Sequence, residues 1–233
     1  MIKDLFTAIT NADLLSVIAI LVTSAVLFLI CMPSHEFAHA YAAYKLGDYT
    51  AKYQGRLTLN PFKHLDLFGF AMILLVGIGY AKPVPVNMMN FKNRKRDMAI
   101  VAFAGPLMNL VCGMLFVFLD VLFNFVFTII PMSSNVTAYV YIIGTYVLET
   151  IAYISISLAI FNLIPIPPFD GSRILGFFLP DRIYYKIMQY ERFILIAVLI
   201  LLWFGFLDGP LSSIVSTFIN RLYWLFSLPF GLN

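Results

Sequence analysis

The stretch SVIAILVTSAVLFLICMPSHEFAHAY, Ser16 to Tyr41, decides how the chain folds. Its first 17 residues carry no charge and read as one apolar helix. Without any turn, two of the chain's three histidines and a glutamate then follow, at His35, Glu36 and His39. About 18–20 apolar residues in a row cross the hydrocarbon core of a bilayer. The polar cluster therefore sits in or at the edge of a membrane span. Ionisable groups there are expensive and are usually retained for function.

The remainder of the chain agrees with that reading. Its 233 residues are 61% hydrophobic and 12% charged, and the mean hydropathy is +0.91. Soluble domains average about 45–50% apolar and about 25% charged residues. The fold class expected is an α-helical polytopic membrane protein with five to six membrane segments. Helices are expected over about 14–46, 96–130, 138–163, 191–207 and 211–228. Between the first two, DYTAKYQGRLTLNPFKHLDLFGF (48–70) reads as strand and loop from its Thr/Leu alternation and turn residues. Residues 68–80 are apolar, glycine-rich and too short for a clean span, so a re-entrant segment is expected. AKPVPVN (81–87) reads as extended, and its prolines forbid a central strand. Together these are expected to form a small β-strand and re-entrant element near the His35 cluster. We expect one membrane-embedded domain over 1–233, with a core at about 12–180 and C-terminal membrane segments at about 181–233.

Composition also excludes some functions. Cys31 and Cys112 both lie in apolar runs, so they are not a secreted disulfide framework. The net charge is +3, and no basic surface interleaved with aromatics points to nucleic acid. Instead the bases set orientation. Nine of the 15 lie between Lys45 and Arg96, and four more between Arg173 and Arg192. With the expected spans both groups fall on one side, which the positive-inside rule makes cytoplasmic. The His35 cluster then lies in the cytoplasmic half of the first helix, in an integral, multi-pass protein.

On a helix, residues four apart are separated by about 40° around the axis and about 6 Å along it. His35 and His39 thus share a face, with Glu36 one step round. This is the H-E-x-x-H arrangement, in which two imidazoles bind zinc and the carboxylate handles the proton of the attacking water. Zinc needs a third protein ligand, with a fourth position open for catalysis. Asp170 is the best candidate, on the proline-broken NLIPIPPFDGS (162–172) and on the same side as His35. Broken backbone at membrane depth is tolerated where it is buried in protein or lines a water cavity. Cys31, one turn before His35, and His64 are the rivals. Asp120 and Glu149 lie deeper and read as helix-pairing or gating groups.

Five segments taken together, SHEFAHA (34–40), GRLTLNPFKHLDLFG (55–69), YAKPVPVN (80–87), FAGPLMN (103–109) and NLIPIPPFDGSRIL (162–175), resemble the site-2 protease family of intramembrane zinc metalloproteases. The similarity is greatest to its compact prokaryotic branch, in which no PDZ or CBS domain is expected. It departs at Leu67, where the family often has proline. The resemblance implies one zinc per chain on His35, His39 and Asp170, with Glu36 as general base. It implies that Asn109 and Asn162 hold substrate backbone or the oxyanion, and that His64 is accessory. It further implies a transmembrane protein substrate within the lipid bilayer of a prokaryotic cell. The alternatives are a membrane metal transporter, which the single ligand cluster and lack of repeated halves disfavour, and an inactive protease-like binding protein, which the intact Glu36 disfavours.

Overall fold

The computed structural model describes residues 13–64, 82–130, 134–206 and 208–231. The re-entrant segment expected over 68–80 lies outside them. The first long helix begins at α1, Leu14–Val26, where the Asp13 carboxylate accepts the Ser16 N–H at 3.2 Å. A π-helical turn, Leu27–Cys31, leads into α2, Met32–Lys45. Pro33 explains the turn: it lacks the N–H that would bond the Leu29 carbonyl, so the ladder widens just upstream of the histidines.

Two single helical turns follow, α3 (Thr50–Tyr53) and α4 (Pro61–His64). After a 3-10 turn at Met88–Asn90 comes α5, Arg94–Ile129. Then come α6 (Asn135–Asn162), α7 (Asp170–Phe178), α8 (Asp181–Gln189), α9 (Glu191–Trp203) and α10 (Asp208–Ser227). Ser134 and Thr137 close a capping box at the start of α6.

Among the described residues, three helices are long and apolar enough to cross a membrane: Leu14–Lys45, Arg94–Ile129 and Asn135–Asn162. The sequence suggests more. But α9 has only 13 residues, about 20 Å of helix. And α10 interrupts its apolar run with Ser212, Ser213, Ser216, Thr217, Asn220 and Arg221. Nor is the expected strand seen among the described residues. Residues 50–53 coil into α3, and 82–87 run extended without a ladder partner. With Pro83 and Pro85 supplying no N–H, side chains hold that segment in place of a sheet.

Helix α5 is central and packs on α2, α6, α7 and α10. Lipid offers little hydrophobic drive, so close van der Waals fit must hold such helices together. Ala40 and Ala43 of α2 are fully buried, and Ala43 meets Met98 and Val101 of α5. Deeper in the bundle, Val117, Ala152, Ile156, Val215 and Ile219 join α5, α6 and α10. The loop between α2 and α5 is organised by Asp48, which is wholly buried. Its carboxylate accepts from the Thr50 amide at 3.1 Å, the Asn87 amide at 2.7 Å and the Asn90 side chain at 2.7 Å.

Candidate metal centre

Helix α2 brings His35 and His39 together, with their Nε2 atoms 3.0 Å apart. Across the cleft, α7 opens on Asp170. Its Oδ2 lies 3.4 Å from His35 Nε2 and 3.2 Å from His39 Nε2. In a tetrahedral zinc site, arms of about 2.0–2.2 Å put ligand atoms about 3.3–3.5 Å apart. The observed triangle is close to one face of that tetrahedron. Among the described residues, these three form the group able to hold a metal ion. Cys31 and His64 are not part of it.

The tautomer fits as well. His39 Nδ1 lies 2.7 Å from the Val101 carbonyl oxygen. A carbonyl only accepts, so the proton sits on Nδ1, and the neutral ring turns the Nε2 lone pair toward the cluster. Asp170 completes the group with a carboxylate oxygen, which binds a metal as the anion.

Helix α5 supplies the opposite wall. Val101, Gly105 and Asn109 recur at four-residue spacing and so form one stripe. A Cβ at Gly105 would run into the His39 and His35 rings. Asn109 is buried, and its Oδ1 has no hydrogen-bond partner. The loop before α7 is equally tight: a Cβ on Gly171 would strike the Leu163 and Ile164 carbonyls. A close approach of backbone, with no special φ, is what demands glycine there.

Glu36 sits beside the triangle, and its Oε2 accepts the Val84 N–H at 3.0 Å. Arg56 is buried and donates to the Lys82 and Pro83 carbonyls, the latter at 3.3 Å. The extended segment 82–87 is thus held across the carboxylate.

The remaining sequence candidates stand apart from the triangle. His64 is buried on α4, and its Nε2 donates to the Thr58 carbonyl at 2.7 Å. Asn162 ends α6 and bonds back to the Leu158 carbonyl at 3.0 Å. Cys31 packs with Cys112 and Ile151, and the Ser155 hydroxyl lies 3.4 Å from its sulfur. Asp120 is buried and accepts from the Tyr223 hydroxyl at 2.9 Å, which ties α5 to α10. Glu149 is exposed on α6.

Val101, Gly105, Asp48, Arg56 and Val84 are not picked out individually by the sequence. Only the FAGPLMN segment hints at Gly105, through a small residue before a helix proline.

Comparison with known proteins follows the same lines. Residues 23–205 match the profile described as peptidase family M50. "Putative zinc metalloprotease YwhC" of Bacillus subtilis is 41% identical over 167 residues, covering 72% of this chain and 74% of that protein. "Putative zinc metalloprotease Rip2" of Mycobacterium tuberculosis is 28% identical over 208 residues, covering 86% of this chain and 71% of that protein. An archaeal relative, "Putative zinc metalloprotease MJ0611" of Methanocaldococcus jannaschii, is 29% identical over 144 residues, covering 60% and 62% of the two chains. No solved structure matches.

Proposed function

Because this chain belongs to peptidase family M50, and is therefore a membrane zinc metalloprotease, we propose that it hydrolyses peptide bonds in or near the transmembrane segments of membrane proteins. The observation that carries this is the convergence of His35, His39 and Asp170 beside Glu36, at one end of three helices able to cross a bilayer. In this reading the protein is multi-pass, with α9 and α10 as further membrane segments, and its site faces the cytoplasm. The clustering of bases in 45–96 and 173–192 supports that orientation.

Zinc held by His35, His39 and Asp170, one per chain, supplies the Lewis acidity that polarises the scissile carbonyl and activates water at neutral pH. Glu36 takes the proton from the attacking water and passes it to the leaving amine. Its Oε2 is committed to the Val84 amide, so the other carboxylate oxygen is the one available to the water. Asn109 is the better-supported oxyanion group. It is buried on the stripe that faces the histidines, and its Oδ1 makes no hydrogen bond that would hold the side chain from turning its N–H group to an oxyanion. Asn162 spends its amide on the Leu158 carbonyl and must turn away from it to meet substrate. A well-placed oxyanion donor contributes about 3–4 kcal/mol to the transition state. The substrate's own helix must unwind before attack. The extended segment 82–87 is suited to pair with the freed strand. His64, bonded within its own loop, is an accessory that shapes 58–64.

The test combines metal content with cleavage. Purified wild type should hold about one zinc per chain, and Asp170→Ala and His35→Ala should hold little. Glu36→Gln should keep its zinc yet fail to cut a transmembrane reporter that wild type cuts in vesicles. A Glu36→Gln protein that cleaves at the wild-type rate would refute the assignment. Wild type that moves zinc across sealed vesicles and cuts nothing would make it a transporter.

A further inference from the structure

We propose that the Val84 backbone N–H, held in place by Arg56, is a fixed donor that aims the Glu36 carboxylate, making Arg56 a positioning residue for proteolysis. This rests on Glu36 as the general base. The segment is held at both ends, and the Lys82 N–H also donates to the His64 carbonyl at 2.9 Å. At one end the buried Arg56 guanidinium donates to the Lys82 and Pro83 carbonyls. At the other, the buried Asp48 carboxylate takes the Asn87 amide and the Asn90 side chain. Between them the prolines leave few donors. Pro83 and Pro85 have no N–H, so across 83–85 the Val84 amide is the only one. That amide points at Glu36 Oε2, 3.0 Å away.

The arrangement has a chemical logic. A glutamate on a helix has three side-chain torsions, and losing that freedom is a substantial part of the entropy of building a site. A backbone amide held from both sides is a rigid partner. It fixes one carboxylate oxygen and leaves the other uncommitted to that bond. Arg56 contributes charge too. Its guanidinium is buried close enough to Glu36 for the two to attract, and burial that lowers its proton affinity is partly offset by that attraction. Pro83 has its own φ fixed, and Pro85 restricts Val84 to extended backbone.

Amide hydrogen exchange tests the contact in the zinc-loaded protein without any substrate. Across 83–85 the Val84 amide is the only exchanging N–H. Exchange there should quicken at least about tenfold in Glu36→Ala and in Arg56→Gln, and stay near wild type in Glu36→Gln, whose amide oxygen still accepts. Arg56→Lys should recover part of the protection, because an ammonium can still reach one carbonyl. Val84→Pro removes the donor and keeps the extended backbone. It should retain zinc and lower kcat about 10- to 100-fold. Val84 exchange within about twofold of wild type in both Glu36→Ala and Arg56→Gln would overturn the contact. Full kcat in Val84→Pro would overturn its role. Either result leaves the assignment of Glu36 as base to stand on its own test.

Discussion

His39 presents Nδ1 to the Val101 carbonyl at 2.7 Å, and Gly105, one helical turn further along α5, leaves the hollow that its ring fills. One helix thus sets both the tautomer and the position of a candidate ligand carried by another. Gly105→Ala puts a methyl into the two imidazoles, and neither ring can retreat without giving up Val101 or Asp170. Overpacking of this kind destabilises by about 1–3 kcal/mol. Disturbing a ligand's outer partners also lowers metal affinity about 10–100-fold. The expected outcome is zinc loss approaching that of His39→Ala, in a protein that still inserts and remains helical. Zinc binding by Gly105→Ala equal to wild type would mean the helices have room to part.

The two histidines and the glutamate were legible because helical geometry makes their relation local: four residues bring His35 to His39 whatever else the chain does. Asp170 was legible only as a ligand type on a proline-broken segment. The fold had to carry it across 131 residues to His39. Val101, Arg56 and Val84 act through main-chain atoms, and a backbone carbonyl or amide leaves no signature in a sequence. The alternation in RLTLN suggested a strand, but no neighbouring strand is available among the described residues to satisfy its donors and acceptors. The long apolar helices were plain, since length and hydropathy are local properties. The status of α9 and α10 was not, because short or polar-interrupted helices depend on packing.

Asp48 makes the loop acid-sensitive. Burial pushes its carboxyl up, but the Thr50 hydroxyl, the Asn87 and Thr50 amides and the Asn90 side chain outweigh it, so the group is held below its ordinary value. A folded-state pKa that is depressed gives stability above the unfolded value of about 3.9, and that stability fades as pH falls through the folded value. At pH 7 the contribution is fully present. Asp48→Asn should therefore lower stability by about 2–3 kcal/mol at neutral pH, as loss of hydrogen bonds to a charged group does. The gap from wild type should narrow as pH falls below about 4. Thermal midpoints of the two proteins in detergent, measured side by side from pH 7 to pH 3, give the answer. A gap that stays constant or widens in acid would show that the Asp48 charge does no stabilising.

The Tyr223 hydroxyl and Asp120 pair α10 with α5 inside the apolar core formed by Val117, Val215 and Leu222. Asp120 is buried and its Oδ1 has no partner, so its other oxygen depends on Tyr223. Tyr223→Phe removes that donor and strands a buried carboxyl, which destabilises by about 1–3 kcal/mol. Replacing both groups with apolar ones removes the need for a partner. The double variant Tyr223→Phe with Asp120→Leu should then be at least as stable as Tyr223→Phe alone, a non-additive result expected of partners in contact. Neither change touches the zinc triangle, so metal content should be unaltered. Unfolding followed by tryptophan fluorescence in detergent would measure wild type, the two single variants and the double variant. A double variant that loses the sum of the two single losses would show that Asp120 is held by something other than Tyr223.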